Sequence, residues 1–169
     1  MRSKREIIYW DSCVYISWIT NDREQYEMAT ILESANKIER GQVILLGSAV
    51  LHQEVRLKTQ AGRDKFEGLL KRPNIDIKDA DIRIFSLAGI ISDYCIDQNK
   101  AGKGPKLRQL DAIHFATAIH YKADAFYTFD DHLFSLGGNV GGYPLIVCKP
   151  PASIQLTMPP APPIKKDEK

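Results

Sequence analysis

The sequence predicts an α/β domain on a mainly parallel sheet, and three observations carry that prediction. Short runs rich in β-formers alternate along the chain with longer stretches whose apolar residues recur at helical spacing. The first run is apolar on consecutive positions, the pattern of a strand covered on both faces. It stops at Asp11-Ser12, as a buried parallel strand does when it feeds a helix N-terminus.

Each element can be read in order. Glu6–Trp10 is the first strand. A short helical segment over 14–19 follows, and then 24–40 places Tyr26, Ala29, Ile31, Leu32, Ala35 and Ile38 on one helical face, with Gly41 as C-cap. Residues 43–46 form the next strand. Ser48 is placed to cap a helix over 50–59, and a charged helical stretch then runs to Leu70 before Pro73 breaks it. Residues 75–77 read as a short strand. The helix expected over 79–97 buries a stripe of Ile84, Leu87, Ala88, Ile91 and Cys95. A loop, 99–106, holds three lysines, two glycines and a proline, and leads into a helix over 108–121. There Ala112, Phe115, Ala116 and Ile119 make a face small enough to pack on a sheet. A strand over 125–129, a short helix over 131–136 and a strand over 145–147 complete the domain. Its expected extent is 1–149, because six of the nine prolines crowd into 150–169, which reads as an extended tail.

Composition narrows the functional classes. A hydrophobic fraction of 44% with 26% charged residues suits a folded globular chain. A net charge of +2 is too small to announce nucleic-acid binding, so the distribution of charge has to carry that argument. Three widely spaced cysteines without a Cys-x-x-Cys pair argue against a disulfide framework or a structural zinc site, and a reducing cytoplasm is the expected location. The apolar run at 7–10 is too short for a signal peptide, and no run is long enough to span a bilayer.

In parallel sheets ligands collect outside the carboxyl ends of the strands, so acids just after strands or at helix starts matter most. Asp11, Glu54, Asp111 and Asp130 meet that test. Each has an ordinary alternative as a cap, a helix-dipole partner or an exposed helix residue. Together they imply a hard divalent cation, Mg²⁺ or Mn²⁺, because clustered carboxylates repel unless a cation compensates. Such an ion can activate water and offset charge on a phosphoryl group, the chemistry of phosphodiester hydrolysis.

Four segments carry a resemblance: Trp10-Asp11-Ser12-Cys13-Val14, Ser48-Ala49-Val50-Leu51-His52-Gln53-Glu54-Val55, Leu110-Asp111-Ala112-Ile113-His114-Phe115-Ala116-Thr117-Ala118 and Tyr127-Thr128-Phe129-Asp130. In type and order they resemble the motifs of the PIN-domain family over roughly residues 6–148. The resemblance implies a Rossmann-like three-layer α/β/α fold. It also implies a Mg²⁺- or Mn²⁺-dependent endoribonuclease leaving 5′-phosphate and 3′-hydroxyl ends, with Asp11, Glu54, Asp111 and Asp130 as its metal-site acids. For VapC-type toxins it implies a cognate antitoxin, and it suggests a homodimer. Cys13 departs from the pattern, where Asn or Ser often stands.

Other residues admit two readings. Ser12 and Thr128 either orient the acids or cap backbone. Lys103, Lys106 and Arg108 either contact RNA phosphates or solvate a surface loop. The four histidines lack metal-ligand spacing and read as packing or surface residues. Trp10 and Trp18 read as core or dimer packing ahead of base stacking. Gly102-Lys103-Gly104 lacks the spacing of a phosphate-binding P-loop. Two competing functions remain: a catalytically silent RNA-binding or protein-interaction module with the same fold, and a phosphohydrolase, which the absence of Asp-x-Asp after the first strand disfavours.

Overall fold

A computed structural model describes residues 5–151. In chain order the elements are β1 (Glu6–Trp10), α1 (Ser12–Thr20), α2 (Gln25–Glu39), β2 (Val43–Ser48), α3 (Leu51–Glu54), α4 (Gln60–Leu70), β3 (Ile75–Lys78), α5 (Ile82–Lys100), α6 (Gln109–His120), β4 (Ala125–Tyr127), α7 (Asp131–Phe134), β5 (Gly138–Val140) and β6 (Tyr143–Cys148). The strands form one sheet in the order β3-β2-β1-β4-β6-β5. β1 runs parallel to β2 and β4 on either side, with Tyr9 opposite both Leu46 and Phe126. β3 and β6 continue the parallel pairing outward, and β5 joins β6 antiparallel.

The two-residue period of the strands divides the core into two. Ile8, Trp10 and Leu45 point to one face, where Val14 and Tyr15 of α1, Ile31 and Ile38 of α2, and Phe66 and Leu69 of α4 cover them. Tyr9, Leu46 and Phe126 point to the other, under Ile84 and Ile91 of α5, Phe115 and Ala116 of α6 and Leu133 of α7. The result is the three-layer α/β/α sandwich. α6 lies deepest: every residue from Asp111 to Thr117 is buried, which explains its alanines, since only small side chains let a helix sit this close to a sheet. The chain leaves β1 toward β2 on one side and returns to β4 on the other, so the carboxyl ends of β1 and β4 flank a crevice at the point where the strand order reverses.

Several expected boundaries move. The helix expected over 50–59 is only the single turn of α3, because Val55 leaves helical geometry at ψ 77°. The Thr59 hydroxyl then accepts from the Gly62 N–H at 3.1 Å and starts α4 afresh. Glu54 is therefore the last residue of a one-turn helix and does not sit two turns into a long one. Asp81 caps α5, accepting from the Arg83 and Ile84 amides. The strand over 125–129 ends at Tyr127, and the β5 strand has no counterpart in the sequence reading. Gly41 adopts the expected left-handed conformation after α2, with φ 67°. Of the proline-rich 150–169, all but residues 150 and 151 lie outside the described residues.

Candidate active site

Asp11 stands at the end of β1 and is the N-cap of α1, only 4% exposed. Its Oδ1 accepts from the Ser12 N–H at 2.7 Å, and its Oδ2 accepts from the Thr128 hydroxyl at 2.8 Å and the Cys13 thiol at 3.2 Å. A carboxylate held by three donors at a helix N-terminus has little rotational freedom. Thr128 reaches it from the strand next door and also accepts from the Asp130 N–H at 3.0 Å, so one hydroxyl ties the ends of β1 and β4 together. Cys13 Sγ in turn accepts from the Phe129 N–H at 3.3 Å. Burial and the Asp11 charge push the Cys13 thiol up to about 12.

Glu54 reaches the same crevice from α3. Ligand atoms of Asp11, Glu54 and His114 all lie within 4.8 Å of one another, the one such group of three among the described residues. His114, fully buried on α6, contacts Glu54 Oε2 through Nε2 and the Tyr9 phenol through Nδ1, the latter at 2.6 Å. Burial pushes the Glu54 carboxyl up, but the hydrogen bonds from His114 and Ser12 and the nearby Arg108 charge more than reverse this and leave it below its ordinary value.

Asp111 occupies the first turn of α6, where the helix dipole favours an anion. Burial nevertheless raises its pKa against the pull of Arg108, helped by the charges of Asp11 and Glu54. Arg108 spans the remaining acids. Its Nε and Nη2 hold Asp111 at 2.8 and 3.1 Å, and Nη2 reaches Asp130 at 3.4 Å. The four expected acids thus face one crevice in two groups: Asp11 and Glu54 meet directly, whereas Asp111 and Asp130 are gathered by a guanidinium. Asp130 also caps α7 through the His132 N–H at 2.9 Å, and Asp131 is the first helical residue.

The expected RNA-contacting residues separate. Arg108 belongs to the acid crevice, although its side chain remains 70% exposed. Lys103 and Lys106 lie exposed in the loop between α5 and α6. Trp10 is completely buried against Tyr15 and Trp18 and presents no stacking face. His114 is the site residue that the sequence reading missed. No spacing rule finds it, but it stands three positions after Asp111 on the same helix, and residues at that spacing share a face.

The residues present fit a hard cation. Three carboxylates share the crevice, of which Asp11 and Asp111 are buried; the charges of Asp11 and Glu54 help to raise the Asp111 pKa, and Arg108 offsets part of that charge.

Residues 8–139 match the family model described as "PIN domain". No curated protein sequence matches the chain significantly. Among solved structures, the chain is similar to VapBC2 from Rickettsia felis, bound to a DNA fragment from their promoter, with a TM-score of 0.60 at 14% identity, covering 83% of this chain and 96% of that one. It is likewise similar to Mycobacterium tuberculosis VapC20, a sarcin-ricin loop cleaving toxin, with a TM-score of 0.59 at 15% identity over 81% and 99% of the two chains. At these identities the likeness is one of fold.

Proposed function

Since this chain belongs to the PIN-domain family, we propose that it is an endoribonuclease that hydrolyses RNA phosphodiesters with the aid of Mg²⁺ or Mn²⁺. One observation carries the reading: Asp11 and Glu54, 43 positions apart in sequence, bring oxygens within 4.8 Å of each other at the carboxyl end of β1, with Asp111 in electrostatic reach. Asp11 and Glu54 would hold the ion, and Asp111 and Asp130 would complete its surroundings. A bound ion of this kind supplies Lewis acidity, activating water as a nucleophile and offsetting charge that grows on the phosphoryl oxygens.

The chain's own residues do the positioning. Thr128 and the Ser12 amide hold Asp11 in one orientation, and the Ser12 side chain helps to hold Glu54. Arg108, paired to Asp111 and Asp130 yet largely exposed, is able to swing from these acids to an RNA phosphate. Lys103 and Lys106 offer further phosphate contacts from the adjoining loop. The products are a 5′-phosphate and a 3′-hydroxyl.

The finer biological reading is the toxin of a toxin–antitoxin pair, in a domain over 1–149 with the tail 150–169 beyond it. Two surfaces support protein partners. An apolar groove between α1 and α4, lined by Ile16, Ile19, Leu57 and Ala61 and rimmed by Arg56 and Lys58, suits an acidic amphipathic segment such as an antitoxin would supply. The outer face of α5 exposes Ile82, Phe85, Ile90 and Ile96, which suits a second copy of the chain in a homodimer.

The nuclease test incubates the purified protein with labelled RNA in Mg²⁺, in Mn²⁺ and in EDTA, beside Asp11→Asn and Asp111→Asn. Each substitution is expected to lower cleavage by at least about 100-fold, EDTA to abolish it, and induced expression to arrest growth only with the unaltered protein. Cleavage that survives EDTA or both substitutions removes the metal-site assignment. RNA retained but uncut under every metal supports the silent RNA-binding module instead.

A further inference from the structure

We propose that His114 is not a ligand of the cation but a positioning residue, locked by Tyr9 as the Nε2–H tautomer so that it holds Glu54 Oε2 and leaves Oε1 to face the crevice. The proposal rests on the nuclease reading and concerns how that site is assembled.

Two gaps flank the imidazole: Tyr9 Oη to Nδ1 at 2.6 Å, and Nε2 to Glu54 Oε2. Both His114 and Tyr9 are wholly buried, so neither has solvent as an alternative partner. A neutral ring has one proton to donate and one lone pair to offer. Were the proton on Nδ1, the Nε2 lone pair would face a carboxylate oxygen at contact distance with nothing between them. Were it on Nε2, that proton donates to Glu54, and the phenol proton donates to Nδ1. Of the two neutral tautomers, the second alone fills each gap with one hydrogen.

Both ring nitrogens are then spent, although His114 stands within ligand distance of Asp11 and Glu54. What the ring does is orient. Glu54 ends a helix of one turn, and the chain departs from helical geometry at the next residue, so the local backbone offers its long side chain little support. His114 on α6 supplies that support from across the crevice, and Ser12 on α1 adds a second hydrogen bond. Tyr9 stacks on Phe126 with rings 5.1 Å apart, which fixes the phenol in turn.

Three variants and one spectrum test this. Long-range ¹H–¹⁵N NMR of the metal-free protein should show His114 as the Nε2–H tautomer, and Mg²⁺ should leave its nitrogens uncoordinated. By calorimetry His114→Leu, which fills the space without a donor, should weaken Mn²⁺ binding about 10–100-fold. His114→Gln, whose amide restores an N–H toward Glu54, should recover most of that loss, and Tyr9→Phe should fall between. An Nδ1–H tautomer, a metal-shifted Nε2 resonance, or His114→Leu binding Mn²⁺ as tightly as the unaltered protein overturns the role. Unaltered protein that binds Mn²⁺ with the wrong tautomer refutes this role alone. Unaltered protein that binds no Mn²⁺ refutes the nuclease reading and this role with it.

Discussion

Cys13 sits where the family pattern often has Asn or Ser, and it makes the hydrogen bonds that such a residue would make: its thiol donates to Asp11 while its sulfur accepts from Phe129 N–H. The thiol is consequently inert. With its pKa raised from 9.0 to about 12, first by burial and then by Asp11, its thiolate fraction near pH 8 falls roughly a thousandfold. In the metal-free protein, iodoacetamide at pH 8 should label Cys13 far more slowly than in urea; equal rates would refute the protected geometry. The linked stability has a definite sign. A group whose folded pKa is raised contributes fully below its unfolded value, so this contribution is complete below about pH 9 and is lost as the pH climbs toward 12. At this scale the sequence was informative about chemistry and silent about pairing. Asp11, Glu54 and Asp111 are acids whatever the fold, but that Arg108 bridges Asp111 and Asp130 depends on a loop conformation no motif encodes.

Among elements, the β5–β6 hairpin shows how a weak local signal becomes a strong constraint. Gly141 and Gly142 join Val140 to Tyr143 with φ values of 62° and 89°, the two positive angles of a type I′ turn. A Gly-Gly pair between two β-formers is a hairpin signal, but β5 is three residues with a glycine at its start, too short to stand out by periodicity. A Cβ on Gly142 would meet open space, whereas one on Gly141 would lie 2.9 Å from Ile91 Cγ1 and 3.0 Å from its Cα. Gly142→Ala is expected to cost about 1 kcal/mol for the positive φ alone. Gly141→Ala should cost about 2–3 kcal/mol, because α5 must shift as well. Urea melts that find the two equal would show that the turn does not press on α5. α3 and α4 teach the converse: a helix was expected over 50–59, but the chain leaves helical geometry at Val55 and begins α4 only after the Thr59 cap, which puts Glu54 at a helix end where it needs outside support.

For the whole molecule, the two covered faces of the sheet leave the outer side of α5 as an apolar surface, with Ile82 77% and Ile90 54% exposed. Residues 82, 85, 89 and 96 follow a spacing of three, four and seven, the seam of paired helices, and Gly89 has nothing near it that would exclude an approaching helix. Light scattering should report about twice 19.1 kDa for the unaltered chain, and Phe85→Glu with Ile96→Asp should halve it. A monomer in both would assign that face no role in self-association.

The class of fold and the acids at strand ends are properties of short windows: a two-residue or near four-residue period and an acid after an apolar run are legible without knowing what lies across the sheet. They yielded the α/β order, one small sheet-packing face on α6 and the identities of Asp11, Glu54, Asp111 and Asp130. Neighbourhoods are different in kind. Tyr9 meets His114 across 105 positions, His114 meets Glu54 across 60, and Thr128 meets Asp11 across 117. Such contacts follow from strand order and from how closely α6 packs on the sheet, and one sequence carries no local mark of either. The packing of three layers alone turned a histidine that read as a packing or surface residue into the group beside Glu54, and made Arg108, read as an RNA contact or a solvated loop residue, the counter-charge of Asp111 and Asp130.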